Sequence, residues 1–446
     1  MLTIKEKVGY GLGDTGSNIV FQVVLSFMVY FYTDVYGLSA ATVGTLMLAV
    51  RLFDAVTDPL MGGIADRTRT RFGRYRPYLL IISIPYGVLA VMTFTTPELG
   101  EQGKVVYAYV TYAALMTVYT AINIPYSALG GVITDDPQER ASVQSYRFAM
   151  AMAGGALVSA ATMPLVQMLG QGDAARGFQL ALGFLATVAV LCFWGCFFLT
   201  RERVEPEQKP SSVSGDLRSL LSNDQFLWVA LITFAMLVLV AMRSAVAPYY
   251  VEYYLGRPEL ITAFITTGMA SALAGALFTN LVVRKLCKLR LLRWANVGLI
   301  LFHLALFFVP QDGLYLAFVL FGAANFCQMI IVPLMFSMVA DTADYGAKKS
   351  GKKIMAMSYS AHLLVIKLGL AVGGALTGWL LGYYGYVANT AQSDHALTGI
   401  LVIFALSSAL CGVVIALVLP RYRLNREALA RIHQDDQDSS KTAMAS

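Results

Sequence analysis

The feature that most constrains this chain is the recurrence of apolar stretches of about 20 residues, separated by short polar segments. A stretch of that length is what an α-helix needs to cross the hydrocarbon core of a bilayer. Apolar residues make up 57% of the chain and charged residues 13%, whereas soluble domains average about 25% charged residues. Inside lipid, helices satisfy their own backbone polar groups. The sequence therefore predicts an all-α membrane protein.

Twelve such stretches can be placed, in two sets of six. They lie near residues 9–36, 40–65, 77–97, 104–133, 142–170 and 177–199, and then near 225–254, 259–284, 291–310, 314–341, 355–386 and 395–420. We predict an N-terminal six-helix bundle over 1–200, a cytoplasmic connector over 201–224, a C-terminal six-helix bundle over 225–420 and a cytoplasmic tail over 421–446. Two six-helix halves are typical of the major facilitator fold, in which substrate binds near the midplane between them.

Lysine and arginine concentrate in the loops that follow even-numbered stretches, which indicates that these loops face the cytoplasm. The loop after the second stretch alone holds Arg67, Arg69, Arg71, Arg74 and Arg76. An even number of stretches then places both termini in the cytoplasm. Because these basic residues lie in short loops between apolar stretches, the net charge of +6 does not indicate a nucleic-acid partner.

Two carboxylates lie within the second stretch, in the segment VRLFDAVTDP. Asp54 and Asp58 are four residues apart and so share one helix face. Two anions in a low-dielectric interior repel each other unless a cation compensates them, and Na⁺, Li⁺ or H⁺ would do so. Arg51 lies one turn earlier, so an ion pair that only stabilises the fold is the alternative. We favour a cation site, because two carboxylates exceed what one arginine neutralises.

The fourth stretch contains TAINIPY, with Thr120 and Asn123 on one helix face. If it packs beside the second stretch, these two side chains could complete the cation site. Ordinary hydrogen bonding between helices is an equally good explanation.

Two basic residues lie inside other stretches, Arg147 in the fifth and Lys367 in the eleventh. Charged groups at membrane depth are costly and usually functional, so both could bind sugar hydroxyls or balance the aspartates. Arg147 could instead extend its charged group to the cytoplasmic surface. His362 precedes Lys367 by five residues and could be structural or contact substrate. Arg243 in the seventh stretch has no predicted role.

Several segments resemble the glycoside–pentoside–hexuronide:cation symporters, whose best-known member is the melibiose permease. The matching segments are YGLGDTGSN, YFYTDVYGL, VRLFDAVTDPLMGGIADRTRTRFGRYRP, AINIPYSALGGVITDDPQER, VADTADYGAKKSG and VIKLGLAVGGALTGW. They span nearly the whole chain. The resemblance implies a major facilitator fold in a bacterial inner membrane and sugar uptake driven by Na⁺, Li⁺ or H⁺, with no other cofactor.

The resemblance also implies roles for particular residues. The family's cation site falls on Asp54, Asp58 and Thr120, with Na⁺ held by the two aspartates if sodium is the coupling ion. Its sugar site falls near a second set of side chains, namely Asn18, Asn123, Tyr126, Arg147, His362 and Lys367.

This chain departs from the melibiose permease at several of these positions. Asn18 and Asn123 stand where that permease has aspartates, Ser127 replaces a tryptophan, and Thr57 replaces an asparagine. Losing two anions beside Arg147 should make the cavity more positive and therefore tolerant of a hexuronide. Neutral pentosides fit equally well, and among the possible substrates xylosides are slightly favoured. The choice between Na⁺ and H⁺ is left open.

Four charged residues could form cytoplasmic gate contacts during alternating access, namely Asp66, Arg67, Asp341 and Asp344. They could equally serve only to set membrane topology. We predict a monomer in the lipid bilayer whose partners are a sugar and a coupling cation. A proton-coupled carrier of a lipid or drug is the alternative function. An integral-membrane enzyme is disfavoured, because the few histidines form no nucleophile–base or metal-ligand arrangement.

Overall fold

The structure is a computed structural model that describes residues 2–134, 137–203, 220–282, 287–350 and 355–424. The described residues are almost entirely helical and contain no strand, which confirms the predicted all-α fold. Most of the predicted tail over 421–446 and most of the connector over 201–224 lie outside these residues.

The helices, numbered in chain order, follow the predicted stretches closely. They are α1 (Ile4–Tyr30), α2 (Ala40–Arg67), α3 (Arg76–Ile81), α4 (Ser83–Thr93), α5 (Glu101–Val132), α6 (Pro137–Gly170), α7 (Ala174–Leu199), α8 (Asp224–Tyr249), α9 (Ile261–Val282), α10 (Lys288–Phe307), α11 (Leu314–Ser350), α12 (Met355–Tyr383), α13 (Asp394–Leu401) and α14 (Ser407–Val418). Short π-helical segments continue three of them, at Phe31–Val35, Tyr250–Tyr254 and Val402–Leu406.

Ten helical segments among the described residues are long and apolar enough to cross a membrane. The other two predicted spans correspond to α2 and to the α3–α4 pair. Helix α2 carries Arg51, Asp54 and Asp58 within its middle turns, which lowers its hydropathy. The third span, predicted as continuous over 77–97, is instead broken at Ile82. Pro85 explains the break, because it has no N–H to donate to the carbonyl of Ile81.

Side-chain caps fix where several helices begin. Thr3 and Glu6 form a capping box at the start of α1, in which each side chain accepts from the other residue's backbone N–H. Ser39 accepts from the backbone N–H of Thr42 and caps α2. Glu202, far along the chain, accepts from the backbone N–H groups of Arg74, Tyr75 and Arg76, which form the N-terminal end of α3.

Contacts divide the chain into two compact units. The first comprises Met1–Gln208, Ser244–Thr266 and Gly374–Ile400, and the second comprises Lys209–Arg243, Thr267–Gly373 and Leu401–Ser446. The units do not follow chain order strictly, and the division into bundles over 1–200 and 225–420 stays a prediction.

In the first unit, α1 packs against α6 and α7, and α2 packs against α5. Helix α2 also meets the last turns of α12 at very close range. A Cβ atom on Gly378 would lie 2.5 Å from both the carbonyl oxygen of Ala40 and the nitrogen of Gly44. Only glycine fits at this crossing.

A carboxylate cluster joins distant parts of the first unit. Asp34, 8% exposed, accepts hydrogen bonds from the hydroxyls of Tyr253 and Tyr386. Its carbonyl oxygen accepts from Asn389 Nδ2 at 2.6 Å. The cluster therefore ties the end of α1 to the π segment after α8 and to the loop after α12.

In the second unit, α10 packs against α11 and α14 around an apolar core. Buried residues of this core include Ile232, Leu292, Leu299, Ile331 and Ile415. Arg243 lies beside this core at 4% exposure and donates from Nη2 to Asn325 Oδ1 at 2.9 Å.

Candidate functional site

The two aspartates of α2 meet the threonine of α5, as the sequence predicts. Thr120 Oγ1 lies 2.5 Å from Asp54 Oδ1 and 2.9 Å from Asp58 Oδ1. Asp54 is fully buried, Thr120 is 2% exposed and Asp58 is half-buried. The packing of α2 against α5 thus brings two carboxylates and one hydroxyl together within a single membrane-depth cluster.

One hydroxyl cannot satisfy both carboxylates as a donor. A threonine hydroxyl carries one hydrogen and two lone pairs, so it donates to one carboxylate only. Asp54 and Asp58 have further interactions besides the contact with Thr120. The cluster gathers carboxylate and hydroxyl oxygens in one place, and such oxygens are the ligands that a hard cation prefers.

Arg51 lies one turn before Asp54 and is 4% exposed. It interacts electrostatically with Asp54, and its guanidinium lies 5.6 Å from the centre of the Phe21 ring. With all three groups ionised, α2 carries two negative charges and one positive charge. One cation would neutralise the cluster.

Asn123 was predicted for both the cation site and the sugar site. Its Oδ1 atom accepts from Ser17 Oγ at 3.3 Å, so its side chain contacts α1. The adjacent Asn18 on α1 donates from Nδ2 to the carbonyl oxygen of Asp14 at 2.9 Å. Asn123 therefore lies at the contact of α1 with α5, whereas the hydrogen bond of Asn18 stays within α1.

Arg147 of α6 forms an ion pair that the sequence argument did not anticipate. Its Nε atom lies 3.0 Å from Asp14 Oδ2 of α1, and Asp14 is 7% exposed. The guanidinium also lies 5.3 Å from the centre of the Tyr126 ring. Arg147 therefore points into the contact between helices of the first unit. A lone aspartate in an apolar stretch was the available signal for Asp14.

Tyr126 is held rigidly beside this pair. Its hydroxyl donates to the carbonyl oxygen of Tyr10 at 2.8 Å, and the two rings stack with centroids 4.8 Å apart. Gly13 leaves room for the ring, since a Cβ atom there would lie 2.3 Å from Tyr126 Cε2. The predicted sugar residues Asn18, Tyr126 and Arg147 thus gather around Asp14.

His362 and Lys367 belong to the second unit and lie on α12. His362 is fully buried, with Nδ1 3.4 Å from Thr233 Oγ1 and its ring edge-on to Phe336 at 5.0 Å. Lys367 is half-buried, five residues further along the helix. The packing of His362 favours the structural interpretation of that residue.

The predicted gate residues differ in what they contact. Asp341 pairs with Lys288 Nζ at 3.1 Å and accepts from the hydroxyl of Tyr422 at 3.4 Å, all within the second unit. Arg67 is exposed at the end of α2, and Asp344 is half-buried on α11. The side chain of Asp66 lies outside the described residues.

Comparison with known proteins agrees with this architecture. Residues 9–426 match the family described as MFS/sugar transport protein. The chain is 41% identical to the inner membrane symporter YicJ of Escherichia coli over 95% of this chain and 92% of that one. It is 40% identical to the putative glycoside/cation symporter YagG of the same organism over 96% and 95%.

A solved structure, that of a D-xylose–proton symporter, shares the fold with a TM-score of 0.68 at 12% identity over 93% of this chain and 97% of that one. Together with the ten described helices that could span a membrane, these matches confirm both the predicted major facilitator fold and the resemblance to glycoside–pentoside–hexuronide:cation symporters. The chain belongs to the sugar transport family of the major facilitator superfamily.

Proposed function

We propose that this protein imports a glycoside, pentoside or hexuronide by symport with a cation, through alternating access. The observation that carries the proposal is the position of Thr120 Oγ1 between the carboxylates of Asp54 and Asp58. This contact gathers carboxylate and hydroxyl oxygens in one cluster, and oxygens of this kind are the ligands that a hard coupling cation prefers. The family description and the name of the YagG relative support sugar transport, and both relatives are named as symporters.

The mechanism follows from the charge of the α2 cluster. An H⁺, Na⁺ or Li⁺ removes the repulsion between Asp54 and Asp58, and so stabilises the contact of α2 with α5. Helix α5 also carries Tyr126, which lies beside the Asp14–Arg147 pair, and Asn123, which contacts Ser17 of α1. Cation binding would thus order the surface that receives sugar. By linkage, sugar must strengthen cation binding by the same factor.

The sugar site in this proposal uses Asn18, Asn123, Tyr126 and Arg147 of the first unit, and a role for Lys367 of α12 stays a prediction. His362 supports α12 from within its own packing. The proposal assigns the chain no catalytic step. It places both termini and the basic loops in the cytoplasm, on the distribution of lysine and arginine.

Uptake by purified protein in liposomes tests the proposal. With an inward Na⁺, Li⁺ or H⁺ gradient, wild type should accumulate p-nitrophenyl β-D-xyloside or another p-nitrophenyl glycoside above its equilibrium level. Asp58→Asn should abolish that accumulation. Asp312→Asn, at an exposed acid in the loop before α11, is the matched control. Gradient-driven accumulation by Asp58→Asn at the wild-type level would refute the role of the acid pair.

A further inference from the structure

Asp14 is a further carboxylate within an apolar helix, outside the proposed cation site. It lies about 15 Å along α1 from Ile4, at 1.5 Å per residue. We propose that Asp14 and Arg147 together bind two adjacent hydroxyls of a neutral glycosyl ring, and that Asp14 selects against uronides. This inference rests on the proposed function and names the class of substrate for the same site.

The ion pair uses only part of each charged group. Arg147 Nε lies 3.0 Å from Asp14 Oδ2, and Nη1 reaches Gln144 Oε1 only at 3.5 Å. Within the described part of the chain, no hydrogen bond reaches Asp14 Oδ1 or Arg147 Nη2, and neither atom is fully enclosed. The two side chains are 10% and 22% exposed. An acceptor and a donor therefore lie side by side, and both side chains are partly exposed.

Adjacent ring hydroxyls match this arrangement. One hydroxyl can donate to the carboxylate while its neighbour accepts from the guanidinium, and hydrogen bonds to charged groups are stronger than neutral ones. The Tyr126 ring, 5.3 Å from the guanidinium carbon, and the Phe148 ring, at 5.8 Å, hold Arg147 in place. Pre-positioned groups of this kind lower the entropy lost on binding.

Charge decides between neutral and anionic sugars at this pair. Asp14 already compensates Arg147, so the pair as a whole is neutral. A ligand carboxylate placed on Arg147 would lie close to the carboxylate of Asp14, and like charges repel strongly where water is scarce. Because Asn18 and Asn123 stand where the melibiose permease has aspartates, we expected excess positive charge beside Arg147. The carboxylate of Asp14 offsets that charge.

Two probes that share one aglycone test this inference, namely p-nitrophenyl β-D-xyloside and p-nitrophenyl β-D-glucuronide. Each is titrated into purified full-length protein, and its affinity is measured by calorimetry. Wild type should bind the xyloside more tightly. Asp14→Asn should weaken xyloside binding about 10- to 100-fold, as expected for loss of a charge-assisted hydrogen bond. The same variant should shift selectivity toward the glucuronide, because the repelling carboxylate is gone.

A second variant distinguishes a loss of sugar recognition from a folding defect. Asp14→Asn combined with Asn18→Asp moves the carboxylate one turn along the same face of α1, and should recover part of the preference for xyloside. A residue that only supports the fold would alter the melting temperature and both affinities alike, with their ratio unchanged. That unchanged ratio in Asp14→Asn would overturn the inference.

The wild-type titration separates this inference from the proposed function. Tighter binding of the glucuronide than the xyloside by wild type would overturn the role of Asp14 while leaving cation-coupled sugar transport intact. Binding of neither probe would also overturn it. Absence of gradient-driven uptake for every glycoside would contradict the proposed function itself.

Discussion

At the residue scale, the chemistry of the first unit depends on a few polar side chains that each contact more than one group. Thr120 contacts two carboxylates, and Arg147 contacts a carboxylate and a tyrosine ring. Such sites are sensitive to the loss of a single atom, because the remaining group then lies buried without its partner.

Thr120→Val tests the shared hydroxyl. Valine keeps the shape of threonine but cannot contact Asp54 or Asp58 through oxygen. We expect the cation concentration for half-maximal uptake to rise about tenfold, as for loss of one hydrogen bond to a charged group. Thr120→Ser keeps the hydroxyl and should behave like wild type. Equal cation dependence in the valine and serine variants would contradict this expectation.

Arg243 gives a residue-scale prediction in the second unit. It donates to Asn325 from Nη2, while Nη1 has no partner among the described residues. Asn325→Leu removes the Nη2 partner of a buried charge and should destabilise the fold by about 1.5–3 kcal/mol. Asn325→Asp should melt at a higher temperature than Asn325→Leu, because it supplies a counter-charge. Similar melting temperatures in detergent for the two variants would show that the charge is compensated elsewhere.

At the element scale, helix ends and crossings depend on contacts that are distant in sequence. The start of α3 is capped by Glu202, more than 120 residues later, and α2 crosses α12 at Gly378. A proline explains why the predicted third span is two helices. The sequence showed that proline, but its effect on the helix depended on whether packing could restore the lost backbone bond.

Glu202→Ala should destabilise the first unit. Three backbone N–H groups at the start of α3 lose their common acceptor. Loss of a typical helix cap costs about 1 kcal/mol of stability, so we expect a lower melting temperature. Glu98→Ala, at an exposed acid in the loop before α5, is the control. The same melting temperature for both variants would mean that water replaces the cap.

Gly378→Ala should also be destabilising. The added methyl group would overlap the α2 backbone at Ala40 and Gly44, and overpacking of this kind costs about 1–3 kcal/mol. Gly183→Ala is matched to it, because a Cβ atom at Gly183 on α7 would meet nothing within 4 Å. We expect Gly183→Ala to equal or exceed wild-type thermal stability. Equal stability of the two variants would show that the α2–α12 crossing adjusts freely.

At the scale of the whole molecule, the sequence predicted the features that repeat or that lie close together in the chain. The apolar stretches predicted the helices, and the four-residue spacing of Asp54 and Asp58 predicted their common face. Thr120 was also predicted, because the resemblance and the TAINIPY segment pointed to it. The meeting of these three side chains needed the packing of α2 on α5, which the structure supplies.

Pairs separated by long stretches of chain could not be predicted from the sequence alone. Asp14 and Arg147 are 133 residues apart, and Asp34 and Tyr386 are 352 residues apart. No periodicity links such positions, because they meet only after the helices pack. Asp14, Asp34 and Glu202 were therefore missed, although a lone aspartate in an apolar stretch was a visible signal for the first two.

The central claim is that the acid pair of α2 binds the coupling cation and thereby raises affinity for sugar. The most direct test is calorimetric titration of p-nitrophenyl β-D-xyloside into purified wild type and Asp58→Asn, across a series of Na⁺ and Li⁺ concentrations and pH values. The account predicts that at least one cation strengthens sugar binding to wild type and that this dependence disappears in Asp58→Asn. The same cation dependence in both proteins would contradict it.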